Sequence, residues 1–243
     1  MSKRQELKRS IYILLKHSNA GSFSTKATRK EMLLTFADAL YEAGIQLTHI
    51  QQLKARHVAK VVAQWIEKGL SAGTLKNRMS NIRFSWESLN KIEKLPSNDE
   101  LGIERRSYTP KFNRAPINPD FTEVTNPYAR ISLELQRVFG LRREESIKIK
   151  PYIADKGDTL QLLPSWCKGN RGRFAPIRTE EQRHWLEEAK KLAQQKDCSL
   201  IPKGKKFIQQ RYIYDQQVRK IALKHPHGLR HAYAQKRYKE LTG

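Results

Sequence analysis

The stretch ISLELQRVFGLRREESIKIKP (Ile131–Pro151) carries two structural stops with a charged cluster between them. Ile131, Leu135, Val138 and Phe139 recur at helical spacing, which predicts a helix with one buried face. Gly140 follows the last periodic residue and ends that helix. RREESIKIK comes next and stops at Pro151. Arg142 therefore stands just past a helix end, with Glu145 three residues on. Taken alone, such a pair is a helix ion pair worth roughly a few tenths of a kcal/mol.

Toward the C-terminus the pattern turns mixed. DTLQLL (Asp158–Leu163) and RFAPI (Arg173–Ile177) read as strands, and PSWCKGNRG between them is rich in turn formers. The pair reads as a hairpin with Lys168 near its tip. Thr179 and Gln182 form a capping box that opens a helix through Trp185, Ala189 and Leu192. A further helix runs from about Phe207 to Leu223, and His227-Gly228-Leu229-Arg230-His231 follows Pro226.

Toward the N-terminus, residues 96–120 lose periodicity and alternate prolines with polar and basic residues, the composition of a linker. Ahead of it the sequence reads as helices. Leu33, Phe36, Ala37, Leu40 and Tyr41 share a face; so do Val58, Val61, Val62, Trp65 and Ile66; so do Leu75, Met79, Ile82, Trp86 and Leu89. Gly69, Ser71 and Gly73 mark a break before the third stripe, and Thr74 is its expected N-cap. Lys76, Arg78 and Arg83 lie on its basic side. The expected fold class is mainly α with a small antiparallel sheet, in two domains: residues 1–95, a linker over 96–120, and residues 121–243.

The charge balance narrows the function. Lys and Arg number 47 against 24 Asp and Glu, for a formal net charge of +23. A folded chain with that surplus faces a polyanion, and nucleic acid is the first candidate. Cys167 and Cys198 have no CxxC spacing, so neither a zinc site nor a disulfide framework is expected. The apolar run Ile11–Leu15 is too short for a signal peptide core, and no stretch approaches a membrane span. A reduced, cytoplasmic setting is expected.

Three basic clusters could carry chemistry: Arg142 with Glu145, Lys168 in the hairpin turn, and His227, Arg230 and His231. A phosphodiester in a transfer reaction passes through a five-coordinate phosphorane with extra negative charge. Guanidinium groups match its non-bridging oxygens in shape and charge. A lysine or histidine can hand a proton to the leaving alkoxide. His227 and His231 are four residues apart, but no carboxylate or cysteine stands at ligand spacing, so no metal is expected.

The order of these clusters resembles the tyrosine recombinase family, also called phage integrases. Its first box, roughly G-[LM]-R-x-x-E, is matched by Gly140-Leu141-Arg142-Arg143-Glu144-Glu145. Its hairpin, roughly G-K-G-x-K-x-R-x-x-P-[LI], is matched by Cys167 through Ile177, with Cys167 in place of the glycine and Arg171 in place of a frequent lysine. Its second box, P-H-x-L-R-H, is matched by Pro226 through His231. EKGLSAGTLKNRMSNIRFSW (Glu67–Trp86) is similar to the family's helical, SAM-like core-binding domain. The resemblance spans most of residues 25–240. It implies that Arg142 and Arg230 hold the scissile phosphate, Lys168 protonates the leaving 5′-oxygen and His227 assists proton transfer at the nucleophile. Glu145 and His231 brace the two boxes. Lys76, Arg78, Arg83, Arg171 and Arg173 are expected to touch DNA. Double-stranded DNA is the implied partner, gripped in a C-shaped clamp, with tetramers formed by full-length family members.

In the family a tyrosine attacks the phosphate and forms a 3′-phosphotyrosyl link. That link keeps the bond energy, so no ATP, cofactor or metal is implied. The tyrosine follows a third box of roughly L-G-H, a few dozen residues past the second. Gly243 precedes both, which gives the expectation of an integrase of a phage or mobile element in C-terminally truncated, monomeric form, binding DNA without cleaving it. Tyr233 and Tyr238 read as packing or surface residues of the last helix rather than substitute nucleophiles. The alternative is a non-catalytic DNA-binding competitor of an intact recombinase.

Overall fold

The structure is a computed structural model that describes residues 1–18, 20–107, 112–116 and 119–243. The chain divides into two compact units, Met1–Pro110 and Lys111–Gly243. Among the described residues no helix is long and apolar enough to cross a membrane.

The first unit is helical: α1 (Lys3–Lys16), α2 (Phe23–Glu42), α3 (Ala55–Glu67) and α4 (Ala72–Ser88). Ser2 opens α1 with a capping box: its hydroxyl accepts from the Gln5 N–H, and its own N–H donates to the Gln5 side chain. The three apolar stripes of the sequence meet in one core with Leu7 and Ile11 of α1, except for Ile66, which is exposed at the edge of its stripe. Within it Phe36 and Trp65 pack edge to face at 6.0 Å. The buried Ser10 hydroxyl accepts from the Ile50 N–H at 2.9 Å, tying α1 to the turn before α3. The cap of α4 is Ser71, whose hydroxyl accepts from the Thr74 N–H at 3.3 Å. Thr74 was the expected cap. Gly73 is instead already helical, and the break belongs to Gly69, in the left-handed region at φ +73°.

The segment expected as a linker is in part packed structure. Ile103 is 2% exposed in the first core, with Leu95 and Leu101 against it. Arg83 of α4 donates to the Asn98 side chain and to the Pro96 carbonyl, each at 2.9 Å. The segment 112–116 belongs to the second unit, where Asn113 and Gln235 exchange side-chain hydrogen bonds. Residues 108–111 and 117–118 of the expected linker lie outside the described residues.

The second unit is built around α5 (Pro127–Phe139). Asn126 caps it, and Pro127 fills the first position, where no backbone N–H is needed. Gly140 terminates it in the left-handed conformation, as the sequence indicates. The helix is buried on two sides. Leu135 and Phe139 join a core with the hairpin and α8 (Glu180–Ala193); Ala129 and Leu133 join another with Tyr214 and Val218 of α9 (Phe207–Lys220) and Leu229 of α10 (Gly228–Thr242). Between lie α6 (Arg143–Lys148), α7 (Pro151–Ala154) and the antiparallel pair β1 (Thr159–Leu162) and β2 (Arg173–Pro176), with Leu162 opposite Arg173. The expected hairpin and the capping box of Thr179 and Gln182 are both present. The Gln182 side chain also donates to the Val138 carbonyl at 2.8 Å, so one residue both caps α8 and fastens it to α5.

Candidate active site

Each element of the second unit that carries a basic cluster ends at the same place. Gly140 closes α5 and Arg142 is the N-cap of α6. Lys168 sits on the loop between β1 and β2, in a single 3-10 turn where Gly169 takes φ +73°. His227 is the N-cap of α10. A cleft of about 380 Å³ is lined by Arg142, Glu145, Lys168 and His227, together with Gln136, Arg143, Glu144 and Pro226. Three cationic or proton-carrying groups from three separate elements thus share one opening.

Glu145 organises the floor. Its carboxylate is fully buried. Oε2 accepts from the Arg142 backbone N–H and from Arg173 Nη2, both at 2.8 Å, and Oε1 accepts from Arg142 Nη1 at 2.6 Å. Burial alone would raise this carboxyl, but the Arg142 backbone, the Arg142 guanidinium and Arg173 outweigh it and hold it below its ordinary value. It is therefore a permanent anion at neutral pH.

Arg230, on the first turn of α10, donates from Nη1 to the Gly140 carbonyl at 2.7 Å. Burial, then the charges of Arg173 and Arg142, lower its pKa. A guanidinium starts so high that it stays charged. His227 is lowered by partial desolvation of its ring and then by His231, Arg230 and Arg142, which favours its neutral, proton-accepting form. Its ring meets that of His231 edge to face at 5.2 Å. Cys167, beside Lys168, is buried; burial and then the Glu145 charge raise its thiol, so it is not poised as a thiolate.

Two glycines allow the elements to close. Gly140 is at φ +61°, and a Cβ there would lie 2.5 Å from the Tyr233 ring. Gly228 would place a Cβ 2.0 Å from the Arg114 carbonyl oxygen, so segment 112–116 crosses the start of α10 in direct contact. Tyr233 thus packs on Gly140, and Tyr238 is 71% exposed on α10. No tyrosine lines the cleft among the described residues.

The structure places the remaining expected site residues differently from one another. Arg171 is exposed on the hairpin loop, and Lys76 is half-buried on α4. Arg78 stacks over Trp65 at 4.4 Å, and burial lowers its pKa. Arg83 is held by Asn98 and Pro96 as described. Arg173 faces Glu145. Sequence reasoning had no route to that contact or to the Gly140 carbonyl beneath Arg230, because both join residues far apart in the chain. Among the described residues no group of three or more His, Cys, Asp or Glu is placed to hold a metal ion.

Two family models match the chain: "Phage integrase, N-terminal" over residues 4–91 and "Integrase" over residues 120–236. A tyrosine recombinase XerC of Vibrio cholerae is 28% identical over 242 residues, covering 90% of this chain and 75% of that protein. The fold is also similar to two solved structures. The XerH site-specific recombinase bound to a palindromic difH substrate aligns over 99% of this chain and 75% of its own, with a TM-score of 0.59 and 17% identity. A lambda integrase tetramer bound to a Holliday junction aligns over 97% and 72%, with a TM-score of 0.57 and 14% identity.

Proposed function

The chain belongs to the tyrosine recombinase family, and from that premise we propose that it binds duplex DNA and holds one backbone phosphate in the cleft between Arg142, Lys168 and His227. The carrying observation is that these side chains, brought by α6, the hairpin loop and α10, line one opening whose floor is a buried carboxylate. We assign residues 1–95 to DNA gripping and 121–243 to the phosphate chemistry. The relatives seen on DNA support that partner.

In this reading Arg142 and Arg230 neutralise the non-bridging oxygens as charge builds on the phosphorane. Fixed donors in a partly desolvated site stabilise that charge without reorganising. Lys168, exposed on its loop, reaches the leaving 5′-oxygen and gives it a proton. His227, its neutral form favoured by desolvation of the ring and then by its cationic neighbours, takes the proton from an attacking hydroxyl. Glu145 holds Arg142 in place, and His231 packs behind His227. Neither Tyr233 nor Tyr238 lines the cleft, so these 243 residues by themselves hold the phosphate without cutting it.

The test is equilibrium binding to duplex DNA combined with a nicked suicide substrate. Affinity should fall steeply with salt, because each neutralised phosphate releases counterions. No covalent adduct should form. Salt-insensitive binding would remove the DNA assignment; a covalent adduct would show that a tyrosine of this chain does reach the phosphate.

A further inference from the structure

Arg173 opens β2 opposite Leu162, and its guanidinium turns inward onto Glu145. It does not itself line the cleft. Its Nε is buried and has no hydrogen-bond partner among the described residues, so the group is aimed at the carboxylate at the expense of one of its own donors. Arg142, by contrast, is 40% exposed and faces the opening.

A carboxylate facing one guanidinium takes it as a fork, both oxygens engaged by two N–H groups. Glu145 does not do this with the Arg142 side chain. One oxygen is held by Arg142 Nη1, and the other by the Arg142 backbone and Arg173 Nη2. We propose that Arg173 is a positioning residue: by occupying the second oxygen of Glu145 it prevents Arg142 from folding down into a fork, and so leaves the outer N–H groups of Arg142 turned to the phosphate. The proposal rests on the reading that the cleft holds a DNA phosphate.

The charge count agrees with the geometry. With Arg142 alone, Glu145 would be a closed, neutral pair at the cleft floor. With Arg173 added, the single negative charge of Glu145 is shared between two guanidiniums, and Arg142 keeps positive charge toward the opening. A phosphate therefore meets Arg142 without competing against Glu145 for it.

The experiment is a double-mutant cycle on duplex DNA affinity, with Arg173→Met and Arg142→Ala separately and together, at several salt concentrations. Arg142→Ala should bind roughly tenfold weaker and lower the salt slope by about one. Arg173→Met should weaken binding about fivefold in the native background and less than about twofold once Arg142 is gone, with no further change in slope, because its effect passes through Arg142. Equal losses in both backgrounds, with another unit of slope, would mean that Arg173 touches DNA directly and would overturn the proposal. Arg173→Lys keeps a charge on the second oxygen and should bind within about threefold of wild type. If Arg173→Met does not fold, the lysine variant carries the same cycle, and an additive loss overturns the proposal equally. If Arg142→Ala binds as tightly as wild type, the phosphate-cleft reading itself has failed, an outcome distinct from additivity, and the proposal falls with it.

Discussion

Arg230 donates to the carbonyl of Gly140 at 2.7 Å across ninety residues of chain, and this bond joins the helix stop of α5 to the first turn of α10. The joint is also packed by Tyr233, whose ring lies 2.5 Å from where a Cβ on Gly140 would be. Gly140 therefore has two separate reasons to be glycine, its left-handed backbone and its neighbour. Gly157 supplies the comparison. It is also left-handed, at φ +80°, but nothing lies within 4 Å of its would-be Cβ.

Gly140→Ala should destabilise the chain by about 2–5 kcal/mol, the sum of left-handed strain and overpacking. Gly157→Ala should show the strain alone, about 1–2 kcal/mol. Urea unfolding of the two variants measures the difference. Equal losses would show that Tyr233 yields freely to a methyl group.

Glu145→Gln keeps the shape of the side chain and removes the charge between two guanidiniums. Only the carboxylate end of these pairs is buried, Arg142 being 40% exposed, so the loss of its charged hydrogen bonds should lower stability at pH 7 by about 1–3 kcal/mol. The pH dependence follows from the direction of the shift. The folded-state carboxyl of Glu145 lies below its ordinary value, so its stabilisation is complete above the unfolded pKa of about 4 and is lost as acid passes through the lower folded value. Asp155 behaves alike: burial raises it, but Lys190, the Gly157 N–H and Arg183 bring it below its ordinary value. The wild-type curve should therefore fall on acidification more steeply than that of Glu145→Gln, while the two curves converge at low pH. Parallel curves in denaturant melts at several pH values would refute the assigned role of Glu145.

These two sites also mark what the sequence makes visible. The helix end at Gly140, the hairpin and the Thr179–Gln182 capping box depend on residues within a few positions of one another, so periodicity and turn chemistry reveal them. The Ser71 cap is missed because Ser71 and Thr74 are both good caps, and the helical backbone of Gly73 decides between them only in three dimensions. The packing of Ile103 is missed because one apolar residue among prolines and charges carries no period. The clustering of Arg142, Lys168 and His227 follows from the family resemblance rather than from spacing. The contacts of Arg173 and Arg83 follow from neither. A basic residue on a charged face looks the same in sequence whether it meets solvent, DNA or a carbonyl of its own chain.

Arg83 makes that ambiguity measurable. Its guanidinium is engaged by Asn98 and the Pro96 carbonyl. Arg83→Ala should lower the stability of the first unit by about 1–3 kcal/mol through loss of two hydrogen bonds from a charged donor. The salt slope of DNA binding should stay the same. A slope reduced by about one, with unchanged stability, would place Arg83 on a phosphate instead.

Arg142→Ala and Arg230→Ala separate a phosphate-holding recombinase pocket from a non-catalytic DNA-binding competitor that uses only basic surfaces. Arg142 lines the cleft and is tied to its floor through Glu145; Arg230 is not among the lining residues and is tied instead to the carbonyl of Gly140, two positions before Arg142. A pocket built this way predicts that each variant binds duplex DNA about tenfold weaker, in line with loss of a charged hydrogen bond to one phosphate. The salt slope should drop by about one in each case. Lys76→Ala on α4, in the first unit, should lower affinity less. A purely architectural binder spreads its contacts, so the two arginines would then matter no more than Lys76, and equal small losses at all three positions would favour that reading.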